Sequence, residues 1–442
     1  MKIHVLSLGC DKNLVDSEAM VGLLGMGGFS IEADPAKAEI VIVNTCGFIA
    51  EATREAIQSI MEMGKLKAEG SLKALIVTGC LAARYKEQIL SEMPEVDAVL
   101  GIEEFSDPAG AIAKALSGRV ASFGGESLDS CANRAVSTSG YAYLKIAEGC
   151  DNRCSYCTIP SIKGRYRSRE MESLLEEARS LADQGIREIV LVAQDTSLYG
   201  TDLYNEPKLP ELMRKLSEIE DVEWIRLLYA YPERVTSEII DEMASNPKVC
   251  HYIDIPIQHA ADTVLGRMGR RGRRDELEAL LLNLREAMPD IAVRTTLIVG
   301  FPGETEEDFK CLLDFVEKAK FDKLGVFAYS QEEGTPAASM PDQIDEKVKE
   351  SRKKKVMRLQ QRVSKEKNKA LVGKTLKAMV DGRLTAETGE EGFVYCARSQ
   401  RDCAGVDGMI FFNSPTDILT GEFVEVEINK SGAHDLYGAL VE

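Results

Sequence analysis

Gly149-Cys150-Asp151-Asn152-Arg153-Cys154-Ser155-Tyr156-Cys157 is the stretch whose reading decides the fold. It spaces its cysteines as C-x3-C-x2-C, behind the apolar alternating run from Tyr141 to Ala147 and ahead of Pro160. Thiolates so close together on one loop can face a single metal centre. A [4Fe–4S] cube takes four ligands, so a loop with only three cysteines leaves one iron open to an outside molecule. A closed structural zinc site wants four protein ligands, and no further Cys or His stands nearby in the sequence. Ordinary buried thiols are the blandest alternative. The loop reads most simply as a cluster site with one reactive iron.

Outward from this loop, strands and helices alternate from Tyr141 to about Ser330. Strands are expected near 141–147, 188–193, 223–229, 251–257, 292–299 and 324–329, with helices such as 170–183, 237–244, 275–287 and 306–318 between them. Six βα units predict a partial (β/α)6 barrel whose site lies at the carboxyl ends of its strands, where the cysteine loop falls. Other strand ends carry polar groups: Gln194-Asp195, Tyr229-Ala230-Tyr231-Pro232, Gln258-His259 and Gly300-Phe301-Pro302-Gly303-Glu304. Any one of these could be a simple cap or turn residue. Two basic runs stand out, Lys163/Arg165/Arg167/Arg169 and Arg267/Arg270/Arg271/Arg273/Arg274. Charge runs usually form a solvated face, but the first begins beside the cysteine loop and could bind a carboxylate at its mouth.

Upstream, residues 1–118 alternate in the same way, with strands at 3–8, 40–43 and 74–77 and helices at 15–24, 48–65 and 82–91, which implies a parallel sheet covered on both faces. Each strand runs into a cysteine flanked by glycine: Leu8-Gly9-Cys10, Asn44-Thr45-Cys46-Gly47 and Thr78-Gly79-Cys80. Glycine permits the tight turn, and the carboxyl ends of parallel strands share one edge where ligands bind. Cys10, Cys46 and Cys80 are therefore expected to converge on a second cluster, again with one iron unclaimed. Buried structural thiols are the alternative.

Residues 119–139 lose periodicity and read as a linker, with Cys131 as a spare thiol; 140–371 contain the barrel and a charged trailing helix over 343–371. From 372 to 442 short alternating strands between glycines predict a small antiparallel β-barrel of the oligonucleotide-binding kind, with Cys396 and Cys403 structural. A chain of 442 residues has ample core for several domains, and 44% hydrophobic with 29% charged content is that of a globular protein. No apolar run reaches the ~18 residues of a membrane span. The first residues, Met1 to Leu8, lack a cleavage site, so no signal peptide is expected. Eleven cysteines without an export signal point to reduced thiols and metal ligation in the cytoplasm.

The cysteine loop, with its aromatic before the last Cys, resembles that of the radical S-adenosylmethionine (radical SAM) enzymes. The resemblance implies that Cys150, Cys154 and Cys157 hold a [4Fe–4S] cluster whose open iron binds SAM and reduces it to a 5′-deoxyadenosyl radical. It places Tyr156 on the adenine, and Gln194, Asp195, Thr296, Ile298 and Gly300 around SAM's amino group and adenine. An N-terminal domain with scattered cysteines, a radical SAM barrel and a TRAM-type barrel is similar to the layout of the methylthiotransferases. That likeness implies two [4Fe–4S] clusters and two SAM molecules, one of them supplying the methyl group, with an external electron donor and a sulfur donor. One branch modifies an isopentenylated adenosine in transfer RNA, the other an aspartate β-carbon in ribosomal protein S12. The second is resembled by residues 7–18, 143–150, Asp254-Ile255-Pro256-Ile257-Gln258-His259, 327–335 and Asp435-Leu436-Tyr437-Gly438. The departures are Asp11, where the family more often has Pro, and residues 396–406.

Charge separates the branches independently. Residues 372–442 carry six Lys or Arg against twelve Asp or Glu, within a chain of formal charge −18. Such a surface suits a Lys/Arg-rich ribosomal protein and does not favour RNA, whose binding rests on cationic contacts. The sequence therefore predicts aspartate methylthiolation of S12, with transfer-RNA methylthiolation as the alternative. A noncatalytic iron–sulfur scaffold would have no use for a SAM-sized site with polar groups on several strand ends.

Overall fold

The computed structural model describes residues 1–70, 72–124, 134–384 and 393–441, so Cys131 lies outside the described residues. Ile40–Thr45 is buried along its whole length and Ala74–Gly79 nearly so, as strands covered on both faces must be. They belong to a six-stranded parallel sheet in the spatial order Ser30–Ile31, Lys2–Ser7, Ile40–Thr45, Ala74–Gly79, Ala98–Leu100, Val120–Ser122. Side-chain alternation sorts the two faces. Ile40, Ile42 and Ile76 pack with Met20 and Leu24 of helix Asp11–Met26 and Ile112 of helix Pro108–Ser117. Val41, Val43 and Val77 pack with Ile60 of helix Ala50–Ala68 and with Leu81 and Ile89 of helix Cys80–Glu92. The helices that follow Lys2–Ser7 and Ile40–Thr45 thus leave to opposite faces, which opens a crevice at the carboxyl ends of those two strands.

This sheet corrects the expected linker. Val120–Ser122 pairs in parallel with Ala98–Leu100, so the first domain runs past 118. Both strands have three residues, too few for a period to register, and helix Pro108–Ser117 adds to the expected elements.

Six further parallel strands lie side by side in chain order: Tyr141–Lys145, Glu188–Val192, Trp224–Leu227, Val249–Asp254, Ala292–Val299 and Lys323–Ala328. Leu144, Ile189, Leu191, Leu227, Ile253 and Val293 pack outward under the helices. Tyr143, Val190, Val192, Cys250 and Tyr252 face the other way, toward the concave side of an open (β/α)6 arrangement. Helix Glu346–Lys369 lies over the last strand, with Val356 in the barrel core.

The last domain is a closed five-stranded barrel, ordered Thr375–Leu384, Phe393–Ser399, Ile410–Ser414, Leu436–Leu440, Phe423–Ser431. It is antiparallel except where Ile410–Ser414 and Leu436–Leu440 run parallel. The loop after Phe393–Ser399, in the stretch that departs from the family pattern, seals the open sheet. Cys403 joins the apolar cluster on the concave face, Asp407 accepts from Tyr252 Oη at 2.7 Å, and Gln400 O accepts from Arg226 at 2.6 Å. Beneath it, Glu188 is fully buried between Arg226 (2.5 Å) and Arg398 (2.7 Å).

Candidate active site

The structure gathers Cys10, Cys46 and Cys80 at the carboxyl edge of the first sheet, and the glycines explain how. A Cβ on Gly9 (φ +94°) would lie 2.5 Å from Cys46 Cβ; one on Gly47 would lie 2.9 Å from the Leu81 backbone. One on Gly79 (φ +88°) would lie 2.5 Å from Thr45 O. Only glycine lets the three turns approach this closely. Asn13, whose type and place in the sequence mark no role for it, ties them together. Its Nδ2 donates to Leu8 O (3.0 Å) and Thr45 O (2.9 Å), and its Oδ1 accepts from the Cys80 thiol at 3.7 Å. Cys46 and Cys80 are buried and Cys10 is exposed. Burial raises the Cys46 thiol and pushes Cys80 up to about 12, so ligation there releases protons.

Cys150, Cys154 and Cys157 sit on a loop with equally little freedom. Gly149 (φ +79°) has Arg165 O 2.2 Å from where a Cβ would be. Cys150 N donates to Gly164 O, and Ser155 N donates to Met268 O. Asp195, fully buried, accepts from Asn152 at 2.9 Å and from Arg234 at 2.6 Å, while Arg234 also donates to Asn152 Oδ1. Burial pushes Cys157 up to about 12 and raises Cys150. Among the described residues no Cys, His, Asp or Glu group closes to the spacing of a single metal ion. A cube holds its sulfurs farther apart than one ion does, and soft thiolates suit iron–sulfur clusters. In their chemistry the two sets of three thiols suit two such clusters.

A buried quartet joins the two sites. Lys145 pairs with Asp16 (2.5 Å) and Glu148 (2.9 Å); Lys163 lies 3.4 Å from each of the same carboxylates. Burial alone would raise Glu148, but the two lysines outweigh it and hold the carboxyl well below its usual range. Lys163 is thus engaged between domains, and Arg169 donates to Glu177 in the core, so neither stands open at the mouth as the basic run suggested. Arg165 is 89% exposed. Beside Cys10, Lys12 pairs with Asp11 at 2.9 Å and lies 3.4 Å over the Tyr229 ring.

A cavity of about 450 Å³ opens next to the cysteine loop, lined by Tyr156, Gln258, Thr296, Ile298, Tyr329 and, from the first domain, Phe48. That is the size of a small-cofactor pocket. Of the residues expected around SAM, Tyr156, Thr296 and Ile298 line it. Gln194 donates to Glu148 at 2.8 Å, and Asp195 supports the cysteine loop, so both are held outside its lining. Gly300 is covered by the Lys349 side chain. Larger clefts of about 570 and 750 Å³ lie at the junction with the last domain and contain none of the six cysteines.

Comparison with known proteins decides the family. The radical SAM superfamily model matches residues 144–316, a TRAM domain model residues 372–441, and the uncharacterized family UPF0004 residues 2–101. A ribosomal protein uS12 methylthiotransferase RimO of Lachnoclostridium phytofermentans is 51% identical, covering 99% of both chains. The RimO of Acetivibrio thermocellus is 48% identical, over 100% of this chain and 98% of its own. The chain belongs to the RimO family of radical SAM methylthiotransferases. Among solved structures, the radical SAM methyltransferase TsrM of Kitasatospora setae shares the fold at 15% identity and TM-score 0.52, over 88% of this chain and 79% of that one. The cobalamin-dependent radical SAM enzyme OxsB does so at 13% and 0.53, over 81% and 56%. Among the described residues no helix is long and apolar enough to cross a membrane.

Proposed function

We propose that the chain catalyses β-methylthiolation of an aspartate residue in ribosomal protein S12, in the cytoplasm where that substrate is made. The observation that carries this reading, beside the family, is a pair of three-thiol sites on two parallel sheets, joined by the Asp16–Lys145–Glu148–Lys163 quartet. A β-C–H bond is not acidic enough for a general base, so hydrogen-atom abstraction is the reasonable route. When bound, a [4Fe–4S] cluster on Cys150, Cys154 and Cys157 supplies reductive cleavage of SAM, and one on Cys10, Cys46 and Cys80 supplies the sulfur-bearing centre.

The chain's own residues set the geometry. Tyr156, Thr296 and Ile298 line the cavity and would wall the adenine of a bound SAM. Asp195, through Asn152 and Arg234, fixes the loop that presents Cys150 and Cys154. Asn13 holds the turns of the second triad at one edge. A second SAM, a reductant and a sulfur donor complete the reaction.

The last domain is a docking module for the basic substrate. Among the described acids of this domain, Asp381, Asp402 and Asp407 are engaged by Arg398, Lys323 and Tyr252, while Asp417, Glu425 and Glu427 stand exposed. Docking therefore rests on this smaller exposed set, and Glu425→Lys with Glu427→Lys should weaken S12 binding without creating RNA binding. The direct test is mass spectrometry after anaerobic incubation of reconstituted enzyme with SAM, sulfide and reductant, offering S12 and isopentenylated transfer RNA separately. Gain of one CH2S unit on an S12 aspartate alone supports the reading; the same gain on the transfer RNA alone overturns it.

A further inference from the structure

The turn after the last barrel strand, Ser330-Gln331-Glu332-Glu333-Gly334-Thr335, grips both turns that carry Cys46 and Cys80. Helix Ala50–Ala68, which leaves the Cys46 turn, begins at Ile49 with no side-chain cap of its own. Its first amide, Ala50 N–H, donates at 2.9 Å to Glu332 Oε1, a carboxylate 282 residues away on the barrel. A carboxylate at a helix N-terminus satisfies an orphan donor and meets the positive end of the helix dipole. Ser330 Oγ donates to the same oxygen at 2.6 Å and fixes its direction.

The other carboxylate oxygen faces Arg84, on the helix that starts at Cys80. The Arg84 guanidinium lies 3.4 Å from Glu332 Oε2, donates to Gly47 O next to Cys46 at 3.1 Å, and donates to Glu333 O at 3.0 Å. Both side chains are nearly buried, at 12% and 8% exposure, where a forked guanidinium is most selective. One arginine thereby reads the Cys46 turn, the Cys80 helix and the barrel at once. Neither residue is a thiol, and Arg84 lies outside the lining of the cavity of about 450 Å³, which Glu332 shares with Ser330 and Gln331.

We propose that Arg84 and Glu332 are positioning residues that set the separation between the two thiol sites. This rests on the methylthiotransferase reading, because a fixed separation matters only if a radical made at one site must meet sulfur held at the other. The clamp leaves SAM cleavage to the barrel and governs whether cleavage is productive.

The test uses full-length Arg84→Met, Arg84→Lys and Glu332→Gln. Reconstituted R84M should hold wild-type iron and cleave SAM as the wild type does. Its yield of 5′-deoxyadenosine per methylthiolated product should rise about tenfold or more, since a misplacement of about 1 Å can cost about a hundredfold in rate. R84K, which keeps charge but loses the fork, should fall between. In the ligand-free chain, amide hydrogen exchange at Ala50 should quicken in R84M and E332Q. Wild-type exchange in both variants, or faster exchange with a wild-type product ratio, overturns the proposal. If R84M fails to take up iron, R84K decides by the same two readouts, because Glu332 also lines the cavity beside the cysteine loop. If the wild type fails on S12, the functional reading falls, while the product ratio on whatever substrate it does modify still decides the clamp.

Discussion

Replacing Gly9 by alanine should empty one cluster site and leave the other intact. The residue sits at φ +94°, and the new Cβ would stand 2.5 Å from Cys46 Cβ and 3.0 Å from its Sγ. Carbon atoms prefer about 3.5–4.0 Å, so Cys46 must retreat by about 1 Å or more. The left-handed backbone costs an L-residue about 1–2 kcal/mol and an overpacked contact about 1–3 kcal/mol. Together they come to about 2–5 kcal/mol, concentrated where the Cys10 and Cys46 turns touch. Gly25→Ala is the control: nothing lies within 4 Å of its added Cβ, and it stands in helix Asp11–Met26. There alanine should stabilise by about 0.5–1 kcal/mol. The assays are urea denaturation of the ligand-free chain and iron and sulfide content after anaerobic reconstitution. G9A should unfold at lower urea, bind about half the wild-type iron, as expected when one of two cubes is lost, and still cleave SAM. A G9A protein with wild-type stability and full iron would refute the close-packed triad.

Alanine at Cys150, Cys154 or Cys157 should abolish 5′-deoxyadenosine formation, whereas alanine at Cys10, Cys46 or Cys80 should spare it and abolish methylthiolation; chromatography of one reaction mixture reads both. Glu188→Ala strands two buried guanidinium groups and should cost about 3–5 kcal/mol in urea denaturation, since breaking a buried ion pair leaves an uncompensated charge. Burial holds His259 down at about 3, with Nδ1 accepting from Ala261 N–H. The unfolded imidazole takes up its proton near its ordinary 6.5 while the folded one does not, so stability is lost as pH falls from about 6.5 toward 3, at up to about 1.4 kcal/mol per pH unit. His259→Gln should flatten that slope in urea titrations across the same range, and an unchanged slope would show that the imidazole protonates freely in the fold.

Much of the site was legible because its chemistry is local. Cys150, Cys154 and Cys157 occupy one loop, and spacing alone brings them together. Cys10, Cys46 and Cys80 were legible for a different reason: parallel strands must end at a common edge, so equivalent positions on separate strands meet. What escaped was either short or long-range. Ala98–Leu100 and Val120–Ser122 hold three residues each, less than any period needs. Gln194 and Asp195 bond to Glu148, Asn152 and Arg234, partners that their place in the sequence does not display. Lys163 carries a charge that the sequence shows and a destination, between Asp16 and Glu148, that it does not.

Residue type, spacing and hydrophobic period by themselves determined the two α/β sheets, the terminal barrel and the six thiols, because each depends on neighbours along the chain or on the rule that parallel strands share an edge. Only the tertiary structure decided how the parts are held to one another: Asn13 across three turns, Glu332 on a helix 282 residues away, and the Ser399–Asp407 loop over the concave face of the open sheet. Those contacts join groups far apart in sequence, and a hydrogen bond or ion pair leaves no period behind for the sequence to display.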